Sequence, residues 1–208
     1  MKILLTRPEG RNEQLAAALR SLGHEVVCEP LIAIDSLGND PIELEGYDWL
    51  LITSATAARE LKRRGRGRAK RVAAIGRATA DAFGRVDLIP EVATQEGLLA
   101  ELPRPGGRVL FAGAEGARRL LVDELDADFV PLYRTRTLRP DKPLDPDLVV
   151  LASPSAARAL AELELDAPVV TIGPETTAEA ERHGVRVARE AQTQDVDGLV
   201  DAVLAATR

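Results

Sequence analysis

Short apolar runs and amphipathic stretches alternate along the whole chain. Residues 2–6 are almost entirely apolar, as is the second part of residues 47–52, and such runs are typical of strands buried on both faces. Residues 10–22 instead place leucines at helical spacing and stop before Gly23, which favours a helix end. The same pattern predicts strands at 26–27, 31–34, 72–75, 86–89 and 108–112 and helices at 55–64, 77–84 and 95–102. The alternation predicts parallel sheets covered by helices, an α/β fold.

The second half of the chain repeats the first. Residues 53–59 (TSATAAR) have a counterpart in residues 152–158 (ASPSAAR), and two I-G-x-x-T elements follow in the same order at 75–79 and 172–176. Matching segments in one order, at nearly constant offset, indicate duplication of a unit of about a hundred residues. We therefore expect two similar α/β domains that face each other. The repeat alone would place their boundary near residues 103–107.

Each I-G-x-x-T element has the composition of a binding site for a negatively charged group. An apolar strand leads to Gly76 in one copy and to Gly173 in the other, with a threonine three residues on. Glycine lets the backbone approach a ligand closely, and the helix that follows points amide hydrogens and its positive dipole end into the same space. The threonines, Thr79 and Thr176, are expected either to cap these helices or to bind the ligand.

The predicted carboxyl ends of the strands carry the candidate site, because ligands of open α/β sheets bind there. Hydroxyls, glycines and one cation dominate this set, which lacks a carboxylate pair, a Ser-His-Asp set and a metal cluster. The set consists of Thr6, Arg7, Thr53, Ser54, Gly76, Thr79, Ser153, Ser155, Gly173 and Thr176.

Composition narrows the function classes. A net charge of −6 and an aromatic content of 3% argue against nucleic-acid binding. Such proteins usually have an excess of cations that neutralise phosphates and aromatic side chains that stack on bases. The chain opens directly on a strand and has no apolar run of membrane-spanning length, so we expect a cytoplasmic protein without a signal peptide that does not bind membranes. The single cysteine, Cys28, excludes an internal disulfide and is expected to be a small buried residue. The basic run at 62–71 is expected to be a solvated helix end and a mobile loop, with a polyanion site as the alternative.

These motifs together resemble the uroporphyrinogen-III synthase family over essentially the whole chain. The resemblance rests on the order and spacing of individually weak motifs, not on any one of them. They are L-T-R-P at 5–8, P-L-I-A-I at 30–34, L-I-T-S at 51–54, A-I-G-R-A-T-A at 74–80, P-L-Y-R-T at 131–135, A-S-P-S at 152–155 and I-G-P-E-T at 172–176.

The resemblance implies two α/β domains joined by a two-stranded antiparallel linker, with the active site in the cleft between them. Mapped onto this chain, the first domain comprises residues 1–30 and 140–208, and the second comprises residues 37–131. The hinge strands are residues 31–36 and 132–139.

The reaction that the resemblance implies is cyclisation of hydroxymethylbilane, a linear tetrapyrrole with eight carboxylates, to uroporphyrinogen III. Water is lost, and the last ring is inverted through a spiro intermediate. No cofactor is implied, and we expect a monomer that binds this small molecule alone. A non-catalytic two-domain binding protein for an organic polyanion is the alternative; a nucleotide-sugar transferase would want an acidic metal motif and a stacking aromatic, and neither is evident.

The resemblance also assigns roles to residues. Tyr133 matches a hinge tyrosine thought to help the hydroxyl leave, and its phenol could donate the proton. Thr177 stands where the family usually has alanine. The remaining matches are carried over as substrate-binding residues, namely Arg7, Thr53, Ser54, Gly76, Thr79, Arg118, Ser153, Ser155, Gly173 and Thr176.

Overall fold

The computed structural model describes residues 1–103, 107–163 and 165–207. Strands and helices alternate through most of the chain, as the apolar pattern predicts. In chain order they are β1 (Lys2–Leu5), α1 (Glu13–Ser21), β2 (Glu25–Cys28), β3 (Ile32–Ser36), β4 (Ile42–Glu43), β5 (Trp49–Ile52), α2 (Ala55–Arg64), β6 (Gly65–Arg66), β7 (Arg71–Ala74), α3 (Arg77–Phe83), α4 (Gln95–Glu101), β8 (Val109–Ala114), α5 (Leu120–Leu125), β9 (Asp128–Thr137), β10 (Leu148–Leu151), α6 (Pro154–Ala161), β11 (Val169–Thr171), α7 (Pro174–Arg182), β12 (Val187–Glu190) and α8 (Val196–Ala206).

Contacts divide the chain into two compact units. The first unit combines Met1–Ile34 with Arg136–Arg208, and the second is Asp35–Thr135. The chain thus enters the second unit within β3 and leaves it within β9. Pro103 and Gly107 both belong to the second unit, so the units do not follow the repeat boundary; residues 104–106 of that boundary lie outside the described part of the chain.

The first unit contains a five-stranded parallel sheet in the order β12-β11-β10-β1-β2. Side chains of the interior strand β1 alternate between its two faces. Ile3 and Leu5 join a core cluster with Leu15 of α1 and Leu199 of α8. Leu4, between them, joins a second cluster with Leu160 of α6. Helices therefore cover both faces of the sheet, which is why β1 reads as a continuous apolar run.

The second unit contains the sheet β3-β9-β8-β5-β7, in which β9, β8, β5 and β7 are mutually parallel. Trp49 and Leu51 of β5 pack with Phe111 of β8 and with Leu98 of α4 and Leu121 of α5. Helices α2 and α3 pack against each other and against the strands β5, β8 and β7. In this sheet, too, an interior strand, β5, is buried along its whole length.

Two expected features are wrong in detail. Residues 86–89 were expected to form a strand, but only Leu88 makes an isolated parallel bridge, to Ala73. Cys28 was expected to be buried, yet it is exposed at the end of the edge strand β2. An edge strand is covered less completely than a central one, and an apolar run does not reveal which position a strand takes.

The basic run at 62–71 contains the end of α2, the short strand β6 and the first residue of β7, where a helix end and a loop were expected. After α2 ends at Arg64, the next two residues form β6, which pairs in parallel with β4. Arg63 donates to Asn39 and to Glu60, and Arg64 donates to the main-chain oxygen of Asp40 at 3.0 Å. These arginines therefore tie α2 to the segment that precedes β4.

The described helices are short, the longest being α8 with 11 residues. None of the helices in the described residues is long and apolar enough to cross a bilayer.

Candidate active site

The carboxyl ends of the first sheet meet along one edge. Leu5 of β1 is in register with Val150 of β10, whereas Leu151 pairs with Thr171 of β11. Because the strands are parallel, the segments that follow them emerge side by side. Those segments carry the sequence-predicted residues of the first unit, which are Arg7, Ser153, Ser155, Gly173 and Thr176.

Arg7 lies in the turn just beyond β1 and is half-buried. The Nδ2 of Asn12 donates to its main-chain oxygen at 3.1 Å, and the hydroxyl of Thr6 donates to the main-chain oxygen of Val150 at 2.9 Å. Asn12 is only 6% exposed, and its Oδ1 has no hydrogen-bond partner among the described residues. The Arg7 turn is therefore fixed from both sides by buried polar side chains.

Ser153 and Ser155 contact each other directly. Ser153 is the N-cap of α6, where its Oγ accepts from the amide of Ala156 at 3.2 Å. Its hydroxyl also lies 3.1 Å from that of Ser155, and both side chains are partly exposed. Pro154, the first helical residue, lacks an amide hydrogen, so the pair of hydroxyls provides the polar groups at this helix start.

The two I-G-x-x-T threonines do not cap their helices. Gly76 and Gly173 occupy the N-cap positions, and no side chain caps either helix. Thr79 and Thr176 are the third residues of α3 and α7, and they are only 4% and 2% exposed. Helix capping is therefore wrong as the explanation of these threonines.

The two glycines are also less open to an anion than the motif suggests. The backbone φ angles of Gly76 and Gly173 are −173° and 168°, which any residue adopts. In the first unit, a Cβ at Gly173 would lie 3.0 Å from the Cγ of Gln194, so Gln194 takes the space that the missing side chain leaves. Pro174 has no amide hydrogen, and the amide of Thr176 donates to the oxygen of Gly173 at 3.0 Å. Fewer donors remain at α7 than the motif alone predicts.

Thr177 stands where the family usually has alanine, and it lies in the first turns of α7. Its hydroxyl forms a chain of hydrogen bonds with Thr171 and Glu190, called the relay below. Its hydroxyl donates to Glu190 of β12 and lies 2.6 Å from the hydroxyl of Thr171, which is fully buried at the end of β11. A hydroxyl carries one proton, so Thr177, which gives its proton to Glu190, must accept from Thr171. The relay ties the first turn of α7 to two strands of the sheet.

The second sheet presents a similar carboxyl edge. Ile52 of β5 is in register with both Ala74 of β7 and Ala112 of β8. Thr53 and Ser54 follow β5 directly and are partly exposed. A Cβ at Gly113 would lie 3.6 Å from Thr53 Oγ1, which places the Thr53 hydroxyl beside β8.

Strand β9 is longer than its neighbours and carries Tyr133 past this edge. The register between β8 and β9 shifts, so that Gly113 pairs with Pro131 but Ala114 pairs with Tyr133. This irregularity breaks the alternation of faces, and consecutive residues Leu132 and Tyr133 are both buried. A bulge of this kind re-aims a side chain, and here it directs the phenol toward β5.

Ser54 and Tyr133 meet at that point. Their hydroxyl oxygens are 2.9 Å apart, and Ser54 Oγ also accepts from the amide of Ala57 at 3.0 Å as the N-cap of α2. Tyr133 is 8% exposed. The phenol is therefore held by a serine that is itself fixed by a helix start, an arrangement that suits a proton donor.

Arg118 lies in the loop after β8 and is held by two residues that sequence reasoning missed. Its guanidinium donates to both carboxylate oxygens of Glu96, at 2.7 and 3.0 Å, and its main-chain oxygen accepts from Gln95 Nε2 at 3.3 Å. The hydrogen bond from Arg118 is the main cause that lowers the pKa of Glu96 below its ordinary value. The only sequence signal was a threonine N-cap, Thr94, one residue before Gln95.

The structure thus brings together some predicted site residues within each unit. Ser54 and Tyr133 contact each other in the second unit, as Ser153 and Ser155 do in the first. Within the part of the chain that the structure describes, no group of three or more histidine, cysteine, aspartate or glutamate side chains could hold a metal ion.

Comparisons with known proteins agree on one family. Residues 13–201 match the family model described as uroporphyrinogen-III synthase HemD. The chain is 26% identical to a putative uroporphyrinogen-III synthase of Methanocaldococcus jannaschii, over 89% of this chain and 91% of that protein. It is 27% identical to the uroporphyrinogen-III synthase of Synechococcus elongatus, over 97% and 93%.

The fold is similar to that of a solved member. A mutant uroporphyrinogen III synthase from the extremely thermophilic bacterium Thermus thermophilus superposes with a TM-score of 0.71, covering 100% of this chain and 98% of that one, at 17% identity. The family match spans most of the chain, and the α/β fold with parallel sheets agrees with it. The chain belongs to the uroporphyrinogen-III synthase family.

Proposed function

We propose that this protein is a lyase that cyclises hydroxymethylbilane to uroporphyrinogen III, with loss of water and inversion of ring D. Membership of the family supports the reaction class. The observation that carries the proposal for the chemistry is the Ser54–Tyr133 contact at the carboxyl edge of the second sheet. The contact holds a buried phenol beside the hydroxyl of Ser54, and both groups can form hydrogen bonds with a polar substrate.

The first chemical step needs a proton at the leaving hydroxyl. The phenol of Tyr133 carries an O–H group that can act as the proton donor. Donation from Tyr133 Oη to the terminal hydroxyl releases water and leaves an azafulvenium cation and a phenolate. Loss of the pyrrole N–H proton then gives the azafulvene, and the phenolate regains a proton. Ser54 Oγ, 2.9 Å from Oη, holds the phenol in position for this transfer.

The later steps demand geometry more than acid or base strength. The substituted carbon of ring D attacks the azafulvene to give a spiro intermediate, which fragments and recloses with ring D reversed. The substrate also closes unaided to the type I isomer, so the enzyme must hold both ends of the chain in the productive pose. This requirement agrees with a site rich in hydroxyls, with cations for the carboxylates.

The substrate's eight carboxylates require donors in both units. We propose that Arg7 and Arg118 supply charge, while hydroxyls and backbone amides supply hydrogen bonds. We further propose that strands 31–36 and 132–139 act as the hinge of an interdomain cleft, and that the enzyme is a cytoplasmic monomer. The proposed hydrogen-bonding residues are Thr53, Ser54, Gly76, Thr79, Ser153, Ser155, Gly173 and Thr176.

An isomer assay tests the function directly. Purified protein is incubated with hydroxymethylbilane without added metal or nucleotide, and the products are oxidised and separated by chromatography. We expect the type III isomer to form faster than the spontaneous type I product. Type I alone, at the rate of the protein-free control, would overturn the proposal and favour a non-catalytic binding protein.

A further inference from the structure

The first turn of α4 is built around Arg118. Glu96 accepts from both guanidinium nitrogens in a bidentate pair, which is also the geometry that an arginine offers to a carboxylate on a ligand. Gln95, which is 6% exposed, fixes the main chain of Arg118 through its side-chain amide. Thr94 caps the same turn by accepting from the amide of Gly97 at 3.0 Å. One helical turn therefore holds both the main chain and the head group of Arg118.

The loop that carries Arg118 is hydrogen-bonded to the main chain of Tyr133. The amide of Glu115 donates to the main-chain oxygen of Tyr133 at 2.8 Å, so the loop that carries Arg118 begins at Tyr133. Arg118 is three residues further along, and three residues of chain reach at most about 11 Å. A tetrapyrrole bound at Tyr133 is large enough to bring one of its carboxylates to Arg118.

The pair between Arg118 and Glu96 is exposed to solvent. The Arg118 side chain is 49% exposed and the Glu96 side chain is 59% exposed. Ion pairs at such sites are weak, because water and salt compete for both partners. Another carboxylate can therefore replace Glu96 at little cost, which would not hold for a buried pair.

We propose that Glu96 is an internal competitor that occupies the fork of Arg118 until a substrate carboxylate displaces it. The inference rests on the proposed function, since it takes a polycarboxylate as the ligand. A ligand with a carboxylate at this position recovers the bidentate pair that it breaks. A ligand with an ester there does not, and it leaves Arg118 with Glu96. Because the new pair only replaces the one with Glu96, Glu96 lowers the affinity for a carboxylate at this position and leaves the affinity for an ester unchanged.

Binding of uroporphyrin III, the oxidised octacarboxylate macrocycle, tests the exchange without turnover. We expect Glu96→Gln to bind it roughly two- to fivefold more tightly in a fluorescence titration, the factor that corresponds to a weak exposed ion pair. Glu124→Gln is the matched control, because Glu124 is exposed on α5 and its substitution removes the same charge from the same unit. It should leave the affinity at the wild-type value.

A double-mutant cycle assigns the gain to Arg118. Arg118→Gln should weaken binding, and Glu96→Gln added to it should give no further gain. An equal gain in Glu124→Gln, or an unchanged or weaker affinity in a folded Glu96→Gln protein, would overturn the proposal.

The exchange also has a titration signature. In the free protein Arg118 holds the pKa of Glu96 below its ordinary value. Once uroporphyrin takes the arginine, the Glu96 pKa should move upward, which carboxyl NMR of the free and bound protein measures. A pKa that stays low on binding would count against displacement. If the wild type forms the type III isomer but Glu96→Gln binds no more tightly and the Glu96 pKa stays low on binding, the inference is overturned while the proposed function is retained.

Discussion

Ser54 and Tyr133 are 79 residues apart in the chain, yet their hydroxyl oxygens lie 2.9 Å apart. Two separate features produce this contact. The start of α2 fixes Ser54, and the bulge between β8 and β9 turns Tyr133 toward it. Local structure at two points that are distant in the chain therefore builds one polar pair.

Tyr133→Phe removes the phenol oxygen and little else. We expect kcat for type III formation to fall roughly 10²-fold, toward the lower end of what general acids contribute, since this substrate is already reactive. Loss of one hydrogen bond should lower the free energy of unfolding by about 1 kcal/mol, which urea unfolding checks. An unchanged kcat would make Tyr133 a structural residue of β9.

Ser54→Ala removes both a helix cap and the partner of Tyr133. We expect about 1 kcal/mol lower stability from the lost cap. We also expect kcat to fall about tenfold, because the phenol loses its positioning hydrogen bond. Asp195→Ala is the control, since Asp195 caps α8 of the first unit through the amide of Gly198 at 2.8 Å, whereas Tyr133 belongs to the second unit. It should lose similar stability at full kcat; an equal fall of kcat in both variants would show that Ser54 acts through stability alone.

The sequence predicted the elements better than their edges. The α2 bounds, 55–64, agree with Ala55–Arg64, because Ser54 caps the start and glycine follows the end. The strand expected at 86–89 was wrong, since local apolar character cannot show whether a neighbouring strand offers a complete ladder. The two units are defined by contacts between residues that are distant in sequence. The repeat shows only which segments of the chain are similar, so it could not predict where the units divide.

The candidate site was predictable in composition but not in pairing. Parallel strands bring their carboxyl ends together, so hydroxyls such as Ser54 and Ser153 could be assigned to that edge in advance. The contact of Ser54 with Tyr133 depends on a bulge between β8 and β9 that no sequence motif predicts. The pair of Glu96 and Arg118 joins residues 22 apart from different elements, and charge alone offers many partners for each.

Stability should depend on pH through Glu60. Partial burial raises its pKa, but hydrogen bonds from Arg63 at 2.7 Å and Ser36 at 2.8 Å outweigh this and leave the pKa below its ordinary value of 4.5. A carboxylate with a lower pKa in the folded state stabilises the fold above its unfolded pKa, and this contribution is lost as the pH falls through the folded pKa. Glu60→Gln should therefore cost more stability at pH 7 than at pH 3.

Urea unfolding of both proteins across this range measures the effect. The two stability curves should approach each other as the pH falls from about 5 toward 3, the window below the ordinary glutamate pKa. Glu124→Gln, which removes an exposed carboxylate of α5 in the same unit, should run parallel to the wild type throughout. A constant gap between Glu60→Gln and the wild type would mean that Glu60 stabilises α2 independently of its charge.

Thr177→Ala should show how much the relay at α7 contributes to the free energy of unfolding. The substitution leaves the hydroxyl of Thr171, which is fully buried, without the acceptor that it uses now. An unsatisfied buried hydroxyl costs about 1–3 kcal/mol, so the free energy of unfolding should fall by that amount. Thr177→Ser keeps the oxygen and should restore most of the stability, whereas Thr177→Val keeps the shape without the acceptor and should not. Because α7 also carries Thr176, the KM for hydroxymethylbilane should rise in the alanine and valine variants at nearly unchanged kcat. Equal stability of the serine and valine variants would show that packing, not the relay, holds this helix.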